Sequence, residues 1–105
     1  MMTTEQRAQY LDLIPQPDPE RIALVQHLGR LAVELDDEAR RRPPVKGGWN
    51  EMVTGEIRRA AGLTRLAATL VMNGTLSEPI GSFIVRATRD YLTLIRRADM
   101  KGVIQ

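Results

Sequence analysis

Between Trp49 and Gly74 apolar residues return every three or four positions. Val53, Ile57, Ala60, Leu63, Thr64, Ala67, Leu70 and Val71 fall on one side, and Glu51, Arg58, Gly62, Arg65 and Thr69 on the other. That period predicts one continuous helix over 50–73. Asn50 in front and Asn73-Gly74 behind serve as its caps, and a length of roughly 35 Å makes it the spine for the other segments.

Two further amphipathic patterns flank this stretch. Asp18-Pro19-Glu20 combines a capping carboxylate, a proline at the first helical position and an acid that complements the helix dipole. It predicts a helix over 19–41 with Leu24, Val25, Leu28, Leu31, Ala32 and Leu35 on its apolar side. Glu20, His27, Arg30, Glu34, Asp37 and Arg41 line the opposite side. After Ser77 as cap, a last helix over 78–101 carries Ile80, Phe83, Ile84, Ala87, Tyr91, Leu94, Ile95 and Ala98 on its apolar face.

A shorter helix over 3–14 is predicted from the capping-box pair Thr3 and Gln6 followed by Ala8, Leu11 and Ile14. Pro15, Pro17 and Pro19 end it and make the connector stiff. Pro43-Pro44-Val45-Lys46-Gly47-Gly48 reads as the hinge between the second and third helices. The chain is therefore expected to be all-α, a four-helix bundle-like single domain over 1–105 with a long central third helix.

Composition sharpens this in two ways. The four aromatic residues, Tyr10, Trp49, Phe83 and Tyr91, are few, so the core rests on Leu, Ile, Val and Ala, and such an Ala-rich core invites completion by a second copy or a partner. The net charge is only +2, but 13 of the 15 basic residues are arginine, whose planar fork suits phosphate and carboxylate alike. Residues 1–20 carry a net −3, leaving +5 on the remainder as the part able to face an anionic polymer. Without cysteine there is no disulfide framework and no thiolate metal site, which leans towards the cytoplasm. Arg58, Arg59 and Arg65 interrupt the only long apolar stretch, so no membrane span is expected.

The run AGLTRLAATLVMNG resembles the AGVS…LNG segment of the LacI family of repressors, through Ala61, Gly62, Thr64 in place of Ser, Asn73 and Gly74. The resemblance covers 14 residues and implies a helix-turn-helix cornered at Gly62, with Arg65–Met72 as the helix that reads DNA. Arg58 stands where that family places a small buried residue, and Leu66 and Leu70 where it exposes polar ones. The path of the backbone at Gly62 decides between this corner and the continuous helix.

Catalytic chemistry has little to stand on. His27 is the single histidine and falls on a polar helix side, where it reads as a solvated residue. Asp36-Asp37-Glu38 reads as a solvated turn whose acids oppose the dipole, since consecutive helical residues point in different directions. No phosphate-cradling glycine loop and no Gly-x-Ser-x-Gly turn is present. No catalytic residue, metal site or cofactor is expected.

What remains are surfaces. Arg40, Arg41 and Arg42 with Lys46, then Arg58 and Arg59 with Arg65, then Arg86 and Arg89 with Arg96 and Arg97 form three basic groups. The expected function is a non-enzymatic accessory subunit that contacts nucleic acid, DNA or RNA, or a nucleoprotein assembly through these arginine-rich faces. The alternative is a protein-interaction module: a homodimer, a phage or plasmid structural piece, or a small inhibitor of another protein. Its motivation is the Ala-rich spine with Gly55 and Gly62, which lets another helix approach.

Overall fold

The structure is a computed structural model that describes residues 3–6, 18–42 and 49–100, with 49, 50, 99 and 100 as backbone only. Among these the regular structure is α-helical throughout. Helix α1 is represented by residues 4–6; α2 is Pro19–Arg40, α3 is Trp49–Met72 and α4 is Glu78–Met100. The rest of the expected first helix, the proline connector and the hinge over 43–48 lie outside the described residues.

The caps follow the local sequence. Thr3 and Gln6 form the capping box, Gln6 N–H donating to Thr3 Oγ1 (3.2 Å) and Thr3 N–H to Gln6 Oε1 (3.0 Å). Asp18 Oδ1 accepts from Glu20 N–H at 3.0 Å. Gly74 ends α3 in the left-handed region (φ 82°), and Leu76 N–H reaches back to Leu70 C=O at 3.0 Å. Ser77 C=O accepts from Gly81 N–H (3.0 Å), which opens α4. Helix α3 begins one residue before Asn50, so Asn50 lies inside its first turn and not at its cap.

Helix α3 runs unbroken through Gly62, so the helix-turn-helix corner is absent. It lies antiparallel to α2, with Arg65 on Asp36 at one level and Gly74 beside Arg21 at the other. Helix α4 returns antiparallel to α3 and parallel to α2, where Gly81 abuts Leu24, Arg89 meets His27 and Arg96 reaches Glu34 and Glu38. The core between the three is Leu28, Leu31, Leu35, Ile57, Ala61, Val71, Val85, Leu92 and Ile95 with smaller neighbours. Each wholly buried Leu or Ile contributes about 1.5–3 kcal/mol.

The α2 face is the one its pattern indicates, but two expectations are corrected. Leu63 is 60% exposed, and Ala61 takes the buried place on α3. On α4 the expected apolar face is divided: Phe83 and Leu94 are 63% and 65% exposed and Ile80 and Ala87 are also out, while Ile84, Tyr91 and Ile95 pack inward beside Val85, Thr88 and Leu92, which the pattern had not assigned. Helix α4 carries apolar residues on two sides, and close packing selects between them. A Cβ on Gly81 would stand 2.6 Å from Leu24 Cδ2 and 3.0 Å from Val71 Cγ2, so the missing side chain is what lets α4 approach on this side.

Gly81→Ala is accordingly expected to destabilise the fold by about 1–2 kcal/mol, because Leu24 can swing aside but β-branched Val71 cannot. At Gly62 an added Cβ meets nothing within 4 Å, and Gly62→Ala should stabilise by about 1 kcal/mol through helix propensity. Urea unfolding followed by circular dichroism measures both, and equal effects of the two variants would refute this account of Gly81.

Candidate functional site

Half of the ten arginines expected to face a partner, Arg40, Arg41, Arg42, Arg65 and Arg96, pair with acids of the same chain. Near the C-terminal end of α2, Glu38 is only 4% exposed and receives three of them. Arg41 bonds its Oε2, Arg42 Nη1 lies 3.5 Å from the same oxygen and donates to the Glu38 carbonyl at 2.6 Å, and Arg96 Nε donates to Oε1 at 3.0 Å. Arg96 also reaches Glu34 Oε1 at 3.3 Å and so ties α4 to α2 at two successive turns. Asp36 pairs with Arg65 of α3, and Asp37 with Arg40 at 3.7 Å.

The three acids are therefore not the solvated turn expected of them. Glu38 is a buried anchor because consecutive helical residues diverge: Asp36 points to α3, Asp37 to solvent, and Glu38 into the junction with α4. Burial alone would raise the Glu38 carboxyl, but hydrogen bonds and charge from Arg41 and Arg96 outweigh it and hold the group below the ordinary carboxylate range. The Glu38 hydrogen bond in turn pushes the Arg96 guanidinium upward against its own burial. A short-range reading of the sequence could not find this site, since Arg96 lies far along the chain. The available signal was an acid followed by arginines three and four residues on.

The remaining expected contact residues are dispersed. Arg89 Nη2 sits 3.2 Å from His27 Nε2, so the histidine is half-buried against a cation, and no carboxylate among the described residues bonds it. Arg58 and Arg59 on α3, and Arg86 and Arg97 on α4, have no side-chain partner among the described residues, and Lys46 lies outside them. One acidic grouping unforeseen from sequence occurs, Asp18, Glu20 and Glu78, with carboxylate oxygens within 4.8 Å of one another. It sits where the N-termini of α2 and α4 converge, and their dipoles accommodate its charge. No helix among the described residues is long and apolar enough to cross a membrane.

A groove of about 570 Å³ opens between α3 and α4. Ala60, Ala67 and Ile84 give it an apolar floor, with exposed Ala87 at its edge. Thr64, also in the floor, turns its hydroxyl onto the Ala60 carbonyl at 2.7 Å and presents its methyl. Glu56, Arg59 and Tyr91 stand at one end, where burial and the Glu56 charge push the Tyr91 hydroxyl up despite Arg42. Leu63 on the rim, with Leu66, Phe83 and Leu94 nearby, extends the apolar character onto the open surface.

The buried anchor predicts a pH signature. Because the folded Glu38 carboxyl is depressed, its stabilisation is complete above the unfolded carboxylate pKa of about 4.3 and is lost as pH falls through the lower folded value. Glu38→Gln should cost about 1–3 kcal/mol near neutral pH, because the charge that Arg41 and Arg96 meet at this buried position is lost. The gap between wild type and variant should narrow on acidification. Urea titrations at a series of pH values measure it, and a gap independent of pH would show that the charge of Glu38 is not what matters. Compared with protein-family models, curated proteins and solved structures, the chain matches none.

Proposed function

We propose that this chain is a non-enzymatic helical subunit that acts by protein–protein contact through the face formed by α3 and α4. The observation that carries the reading is the apolar groove rimmed by exposed Leu63 and extended by Leu66, Phe83 and Leu94. An apolar concave place with exposed apolar side chains on its rim and within a helical turn of its lining has the usual anatomy of an interface core. The reading includes a cytoplasmic location, supported by the cysteine-free composition.

A second reading, contact with DNA, RNA or a nucleoprotein assembly, keeps support from Arg58, Arg59, Arg86 and Arg97. It is weaker because Arg40, Arg41, Arg42, Arg65 and Arg96 are tied to acids of the same chain and offer little net charge to phosphate.

A photocrosslinking side chain placed at position 83 in cells should yield a protein adduct, and one placed at position 37, which faces solvent on α2, should not. Adducts at neither position would remove the protein-contact reading. Fluorescence anisotropy with duplex DNA and single-stranded RNA across a salt series tests the other. There, Arg58→Glu with Arg59→Glu should weaken binding, and each lost phosphate contact should flatten the logarithmic salt slope by about 0.7–0.9. No binding at low salt removes it.

A further inference from the structure

Two stripes of outward-facing residues flank the α3–α4 groove. On α3 they are Met52, Glu56, Arg59, Leu63, Leu66 and Leu70, separated by alternating steps of four and three; all are exposed except half-buried Leu70. On α4 they are Ile80, Phe83, Ala87, Asp90, Leu94 and Arg97, in alternating steps of three and four, all exposed. This is the heptad spacing of a helix–helix seam. It is a second seam, distinct from the one that packs on α2.

The two stripes match each other in kind. Because α3 and α4 are antiparallel, with Ala67 and Ile84 in one part of the groove and Arg59 and Tyr91 in another, levels can be read across. To within a turn, Leu66 stands level with Phe83, Leu63 with Ala87, Arg59 with Asp90 and Glu56 with Arg97. One end of the face is apolar and the other carries both signs of charge. Glu56, Arg59, Asp90 and Arg97 form no ion pair among the described residues, whereas Arg40, Arg41, Arg42, Arg65 and Arg96 do.

We infer that the chain pairs with a second copy of itself through this face, about a two-fold axis that runs along the groove. The inference rests on the reading of the face as a protein-contact surface and names its occupant. With the axis in that direction α3 of one copy lies on α4 of the other at the same level. Leu66 then covers Phe83 of the second copy, and Arg59 and Glu56 meet Asp90 and Arg97 of the second copy, each twice by symmetry. The alternative face-to-face axis, across the helices, lays α3 on α3 and drives Glu56 and Arg59 against Leu66 and Leu70. That arrangement desolvates charge without compensation and is disfavoured. The alanines of the floor let the helices approach closely.

Sedimentation equilibrium of the full chain from nanomolar to high micromolar concentration should show twice the 11.8 kDa chain mass. Leu63→Glu and Phe83→Asp alter exposed side chains, so circular dichroism should show them folded, and each should raise the dissociation constant by about 30-fold or more. Arg59→Asp and Asp90→Arg should each weaken pairing by about 10-fold, and the two together should restore it to within about threefold. A photocrosslinker at position 83 should link two copies. A monomer at every concentration overturns the inference, as does a dimer indifferent to Leu63→Glu and Phe83→Asp, or a double charge swap no better than the single ones. A link from position 83 to residues 1–17 of the same chain also overturns it, by assigning the groove to the chain's own start. If the chain is monomeric yet position 83 crosslinks to another protein, self-pairing fails while the protein-contact reading stands.

Discussion

A carboxylate buried at the end of one helix sets the rotation of another. Glu38 lies near the C-terminus of α2, where the carbonyl dipoles already make a negative charge unfavourable. It is tolerable there because Arg41 and Arg42 follow just past the end of the helix and Arg96 arrives from α4. Arg96 in turn constrains α4: with Arg96 on Glu34 and Glu38, and Arg89 on His27, the face that packs inward must hold Val85, Leu92 and Ile95. Phe83 and Leu94 are then left outside. The ionic contacts and Gly81 act together, one aligning α4 and the other allowing it to come close.

This arrangement redistributes what the composition suggested. A chain with 13 arginines looks prepared for phosphate, but five of them, Arg40, Arg41, Arg42, Arg65 and Arg96, are spent within the fold on Asp36, Asp37, Glu34 and Glu38. Surface pairs of this sort contribute little stability each, typically under 1 kcal/mol. Their larger effect is on identity, since they decide which helix faces meet. The surface left without internal partners is apolar along one half of the α3–α4 face and of mixed charge along the other.

Much of the fold was legible along the chain. Asp18-Pro19, Asn73-Gly74 and Ser77 mark helix ends correctly, because capping involves groups only two to six residues apart. The continuity of α3 through Gly62 was legible too, from an apolar period that does not falter there. The candidate site was much less so. Leu63 and Phe83 were assigned to the core because their spacing is that of core residues, and Glu38 to solvent because its neighbours in sequence are charged.

The sequence by itself determined that the described segments are helical, where α2 and α4 begin and α3 ends, and that these three are amphipathic, because those properties depend on backbone hydrogen bonds and side-chain periods within a few residues. Only the tertiary structure decided which of the two apolar sides of α4 is core and which is surface. Both sides satisfy the helical period equally well. The choice between them is made by Leu24 against Gly81 and by Glu38 against Arg96, contacts between residues more than fifty positions apart that no local pattern encodes.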